Sequence, residues 1–278
     1  MTNIWKEKLT KNGAFNGQLA KLEAEQIFDR GFMSLMTNFT SIRSFRKVIK
    51  RGIPAVEPEL RREDLTFLTG LLRSAVGNRY FADPQKILRD HRHVELAKLT
   101  TDTVLQTTSN ATDAASIIFG HAILDAALFD FCTACAILAP FDWLRFIGSR
   151  KITLDELHKH PELDLLGDIL VAALEELERE SLLKKADRLY ALCQPPAGHQ
   201  GVIDYTYDRE RLEEIDRLRH DIVHRIKIKD PIPKCDELLL YLDQTGFHLM
   251  SLPNHKYDLR LPSLGTSASS NEAPKSAT

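Results

Sequence analysis

Apolar residues recur at spacings of three and four along most of this chain, the mark of amphipathic helices. Leu19, Leu22, Ile27, Phe28, Phe32, Leu35 and Met36 predict a helix over 15–52, with Gly31 as a weak point. Its last part, Ile42 to Gly52, sets cations between the apolar positions, a candidate phosphate-contact face. Gly52 and Pro54 should stop it, and 54–58 should connect to a second helix over 61–76 carrying Leu65, Leu68, Leu71 and Leu72. Asp83 followed by Pro84 suits a helix start. Thr100 to Thr112 reads as a helix start or a joint. Asp113 to Leu138 is apolar nearly all round and should be central.

Further on, Thr153 and Glu156 have capping-box spacing. A long amphipathic helix is expected over 163–192, with Leu170, Ala173, Leu174 and Leu177 inward and an acidic outer face. Val202 to Tyr207 has strand-like composition, but no second run matches it, so a sheet is not expected. A helix over 208–225 should be capped by Asp208, with Leu212, Ile215, Leu218, Ile222 and Val223 buried. A last helix should start at Asp236 and run to Leu242, or to Leu249 if Gly246 permits. The polar stretch 263–278 reads as a disordered tail. The fold class is therefore all-α.

The net charge of −2 excludes a wholly basic nucleic-acid binder and leaves room for a local basic patch. Cys132 and Cys135 form a lone C-x-x-C inside an apolar stretch, which fits core packing better than metal or redox work. Ile117 to Phe141 approaches membrane-spanning length, but Asp125 and Asp130 would each cost about 2.5–3.5 kcal/mol at a bilayer centre. A buried soluble helix is the better reading, and with no apolar leader at the start the expected location is the cytoplasm, without membrane attachment.

The chemistry concentrates in Arg219-His220-Asp221-Ile222-Val223-His224. Arg217, His220, Asp221 and His224 fall at i, i+3, i+4 and i+7 and share one helix face. Arg219 lies about 140° round from His224 on an ideal helix. Histidine exchanges protons near neutrality and arginine forks onto phosphate oxygens, so the set suits attack on a phosphodiester. A helix with a solvated polar face accounts for the same pattern. His220 and His224 alone make a poor metal site, because no third ligand follows from the sequence.

Arg219, four residues and His224, with polar His220 after the arginine, resemble the R-x4-H motif of HEPN domains, all-α domains of many prokaryotic RNases, toxins and defence proteins. The resemblance spans about residues 105–260. It implies a helical bundle of HEPN type with an N-terminal helical extension. The division expected is 1–100 for the extension, 101–262 for the core and 263–278 for the tail.

The resemblance also implies a metal-independent endoribonuclease with no cofactor. Arg219, His224 and His220 would be catalytic, and Asp125, Arg217 and Arg225 would bind substrate or support them, with Asp130 second to Asp125. Partners would be RNA, a second copy in a homodimer, and an antitoxin or regulator, in toxin–antitoxin or antiviral defence. The alternative is a non-catalytic HEPN-like module that binds RNA or a nucleotide, or dimerises.

Overall fold

The structure is a computed structural model and describes residues 17–74, 83–144, 165–193, 207–225 and 231–262. Every regular element among the described residues is a helix: α1 Gly17–Ser74, α2 Pro84–Arg89, α3 Arg92–Leu138, α4 Pro140–Leu144, α5 Leu165–Arg179, α6 Leu182–Cys193, α7 Arg209–Arg225 and α8 Cys235–Tyr257. The chain is all-α. The expected capping box at Thr153, most of the strand-like run at 202–207 and the tail at 263–278 lie outside the described residues.

Two compact units are present, both built from separate stretches of chain. Unit 1 comprises Met1–Phe39, Gly120–Asp216 and Leu239–Thr278, and unit 2 comprises Thr40–Phe119 and Arg217–Leu238. A division at residue 100 falls inside α3.

Unit 1 holds the larger apolar core. Phe28 and Phe131 are fully buried with ring centroids 5.1 Å apart, and Leu35, Leu124, Leu128, Leu177, Leu189, Leu242 and Leu249 are fully buried with them. Gly31 and Gly246 do not interrupt their helices. A Cβ on Gly31 would stand 2.7 Å from Phe131 Cε1, and one on Gly246 would stand 2.9 Å from Leu35 Cδ2. Glycine is what lets these helices approach so closely. The last helix consequently runs past Gly246 to Tyr257.

The expected helix over 163–192 is two helices. Ser181 breaks it by acting as a cap, its carbonyl accepting from the Lys185 N–H at 3.2 Å and its hydroxyl from the Lys184 N–H at 3.4 Å. Leu170, Ala173, Leu174 and Leu177 are buried as expected. α3 is long and apolar enough to cross a membrane by length and composition, and 67% of its most apolar window is buried inside the protein.

In unit 2 the second correction is larger. α1 passes through Gly52, Pro54 and Pro58 without a break. Each proline removes one bond to the carbonyl four residues back, at Lys50 and Pro54, and both prolines stand on an exposed edge. Contacts on either side hold the helix together. Arg46 Nε donates to Asp113 Oδ1 at 2.6 Å and Lys50 Nζ to Asp113 Oδ2 at 2.9 Å. Beyond the prolines, Arg61 donates to Asp102 at 2.7 Å and the Thr101 hydroxyl to Asp64 at 2.6 Å. All these partners lie on α3, which runs antiparallel to α1 in this unit.

The Thr-rich stretch is helix interior, not a joint. Thr100, Thr103, Thr108, Thr112 and Ser116 each turn their hydroxyl back onto the carbonyl four residues earlier, at 2.8–2.9 Å. That satisfies the hydroxyls without leaving the helix. Asp83 caps α2 as expected, its carboxylate accepting from the Lys86 N–H at 2.9 Å.

Arg46 and Asp113 are both buried, while Asp236 at the start of α8 reaches Arg46 from a side chain 81% exposed. Burial works against the charge on Arg46, and hydrogen bonds to Asp236 and Asp113 more than offset it. The same bond from Arg46 holds the Asp236 carboxyl below its ordinary value of 3.8.

Two predictions follow from unit 2. Pro54→Ala should stabilise the protein by about 2 kcal/mol, from ~3 kcal/mol for an interior proline less ~1 for a freer unfolded chain. Urea unfolding measures this, and a net loss would mean that residues 50–58 are not helical. Asp236 should contribute stability that is complete above its unfolded value of 3.8 and is lost as the pH falls through its lower folded value. Asp236→Asn should flatten that acid limb in thermal melts, and an unaltered limb would detach Asp236 from Arg46.

Candidate functional site

α7 begins as its sequence dictates. The Asp208 carboxylate accepts from the Arg211 N–H at 3.0 Å and its carbonyl from the Leu212 N–H at 3.1 Å. The Tyr241 hydroxyl donates to the same carbonyl at 2.6 Å, and the Arg211 guanidinium lies 4.6 Å over the Tyr241 ring. Tyr207 donates to Asp187, and Arg209 Nε donates to the other Asp187 oxygen at 3.3 Å. Burial and that carboxylate push the Tyr207 phenol well above its usual range, so it stays a donor. These contacts hold the first turns of α7 in unit 1.

Leu212 and Ile215 are buried in unit 1, and Ile222 is buried in unit 2. Val223, expected in the same stripe, is 44% exposed. It sits about 100° round from Ile222, which takes the inward position.

The motif residues belong to unit 2. His220 and His224, one turn apart, stand exposed with ring centroids 4.3 Å apart and planes inclined at 44°. Arg219 is half-buried and Arg217 exposed. The side chain of Arg225 lies outside the described residues. The two rings form a compact exposed pair. Among the described residues, no group of three or more His, Cys, Asp or Glu side chains has metal-holding geometry.

The carboxylates expected to support the motif lie in unit 1, where each is held in an ion pair. Both Asp125 oxygens accept from Lys185 Nζ, at 2.8 and 2.9 Å. Lys185 is 1% exposed and also donates to the Glu178 carbonyl at 3.3 Å. Asp130 takes both Arg30 Nε, at 2.9 Å, and a second guanidinium nitrogen. The spacing of His121 and Asp125 allowed a bond along the helix. His121 Nε2 meets Asp216 at 2.8 Å on α7.

Sequence reasoning missed Lys185 and Asp216. Lys185 interrupts the inward series Leu182, Ala186 and Leu189 at helical spacing, and a cation on an apolar stripe asks for a buried carboxylate. Asp216, next to buried Ile215 on α7, is only half-buried and carries no comparable signal in the sequence.

Of the phosphate-contact candidates on α1, Arg46 and Lys50 are already engaged by Asp113, and Lys47 and Arg51 stand exposed. The C-x-x-C thiols pack in the core of unit 1. Cys135 Sγ lies 3.8 Å from Cys193 Sγ, and burial pushes the Cys132 and Cys135 thiols far up, which keeps them neutral and unreactive.

Asp125→Ala should destabilise the protein by about 3–5 kcal/mol, because it strands a buried ammonium. Adding Lys185→Met should recover most of the loss, since an apolar chain of similar length fills the place without needing a counter-charge. Chemical denaturation of the two variants decides it. A silent Asp125→Ala would remove the ion pair from the account of the core.

No protein-family model, no curated protein and no solved structure matches the chain.

Proposed function

We propose that the protein is a metal-independent endoribonuclease of HEPN type, acting on RNA as a homodimer. One observation carries the reading: the paired, exposed imidazoles of His220 and His224 on the helix that also carries Arg219, in an all-α chain. The bundle of residues 101–262 would be the HEPN-like core. The cellular setting we propose is toxin–antitoxin or antiviral defence, in the cytoplasm, with an antitoxin or regulator as a further partner.

The chemistry is an in-line displacement at phosphorus. The ribose 2′-oxygen attacks the adjacent phosphate, the bond to the 5′-oxygen breaks, and the products carry a 2′,3′-cyclic phosphate and a 5′-hydroxyl. His224 moves the protons, from the 2′-hydroxyl and onto the leaving oxygen. His220, with its ring against that of His224, orients it and shares the proton load. Arg219 neutralises the charge building on the phosphoryl oxygens. Arg217 and Arg225 hold neighbouring phosphates. One motif per chain calls for a second copy, because a two-fold interface presents the same patch twice.

The tie between Asp125 and Lys185 favours a structural role for that carboxylate. With that carboxylate withdrawn from the motif, the observation favours as the second reading a non-catalytic HEPN-like module that binds RNA or a nucleotide or serves for dimerisation.

Cleavage of cellular RNA by the purified protein in EDTA separates the two. His224→Ala should lower the rate by about 10²–10⁴ and Arg219→Ala by about 10²–10³, with Arg217→Ala far milder. Equal cleavage by wild type and His224→Ala would overturn the assignment. RNA binding with no cleavage by either would establish the non-catalytic reading.

A further inference from the structure

Three of the four cysteines lie in unit 1, and all three are buried. Cys132 and Cys135 stand on α3, and Cys193 closes α6. Their surroundings set them apart. Cys132 Sγ donates to the Lys185 carbonyl at 3.6 Å. In unit 2, Cys235 Sγ donates likewise to the Asp113 carbonyl at 3.7 Å. Cys135 and Cys193, 58 residues apart in the chain, meet sulfur to sulfur at 3.8 Å across two helices.

We propose that Cys135 and Cys193 are a redox pair that closes to a disulfide when the protein meets a peroxide, stapling the end of α6 to α3. A disulfide holds its sulfurs at about 2.05 Å, so the two must approach by about 1.8 Å, within reach of side-chain rotation. The C-x-x-C offers no such route. On one helix, residues three apart hold their Cβ atoms about 5–6 Å apart, against about 3.8 Å in a disulfide. Cys132 and Cys135 could pair only by unwinding the last turns of α3, which are buried.

Burial decides the order of events. The thiolate is the nucleophile, and burial holds the Cys135 thiol neutral in the closed fold. Cys193 is the last residue of α6, and the end turns of helices open most readily. In the open turn its sulfur attacks one peroxide oxygen, the O–O bond breaks, and a sulfenic acid and one water form. When the turn recloses, the Cys135 sulfur displaces that hydroxyl, its proton leaves with the hydroxyl as a second water, and the S–S bond forms. Two thiols together lose two electrons, and the peroxide is reduced to two waters. A cellular thiol reverses the step by exchange. The bond restricts the unfolded chain, so it should stabilise the fold. The pair stands apart from the RNA chemistry, because it is read by mass and by melting.

The test treats the reduced full chain with hydrogen peroxide, alkylates the remaining thiols in denaturant, and maps a digest made without reductant by mass spectrometry. One linked peptide pair should carry Cys135 and Cys193, with Cys132 and Cys235 alkylated. The oxidised protein should melt about 5–10 °C higher than the reduced one, and dithiothreitol should remove both changes. Cys193→Ala should lose the linkage and the rise in melting temperature, while Cys132→Ala should keep both. The wild-type linkage map decides the question even if a variant fails to fold. Linkage of Cys132 to Cys135, oxidation of Cys193 to a sulfinic acid with no linkage, or thiols that stay reduced while the urea-unfolded chain oxidises would each overturn the proposal.

Discussion

Carboxylates on α3 meet the two buried Lys and Arg side chains among the described residues, Arg46 and Lys185. Asp113 holds Arg46, with half-buried Lys50, in unit 2, and Asp125 holds Lys185 in unit 1, where Asp130 also takes exposed Arg30. Desolvating such ions costs several kcal/mol each, and good geometry does little more than return it. Their worth lies in register. An all-helical core packed on leucines and alanines tolerates a slide of one turn, about 5.4 Å, with modest loss. The same slide would strand Lys185 or Arg46 in an apolar interior, which the protein cannot tolerate. The apolar spacing brings the helices together, and the buried charges decide at which turn they stop.

That division explains what could be read from the chain in advance. Signals acting within a few residues appear where they should: the Asp83 and Asp208 caps, the apolar α3, the inward face of α5 and the side-by-side histidines of α7. Errors arose where a local signal met a tertiary one. Pro54 and Pro58 are strong stops in isolation, yet α1 is tied to α3 on both sides of them. The threonines of α3 read as a joint because threonine favours other conformations, but each hydroxyl finds a carbonyl inside the helix. Ser181 erred the other way, as one polar residue in a long amphipathic run that turned out to be a cap.

The candidate site divides along the same line. The pairing of His220 with His224 is a consequence of spacing on one helix and needed nothing else. Asp125 had no local reason to choose a partner. Its ligand, Lys185, lies 60 residues on, and only the packing of α6 against α3 in unit 1 makes the pair. A carboxylate in an apolar helix announces that a partner exists without saying which. The better clue was the complementary one, a lysine at an inward position of α6, because a misplaced cation and a misplaced carboxylate in the same core account for each other.

Where the surplus lies bears on how the protein would work. Unit 1 buries most of its apolar residues in its own core, whereas unit 2 keeps many of its own in water and also carries the paired histidines of α7. Exposed apolar surface costs solubility unless something covers it for part of the time.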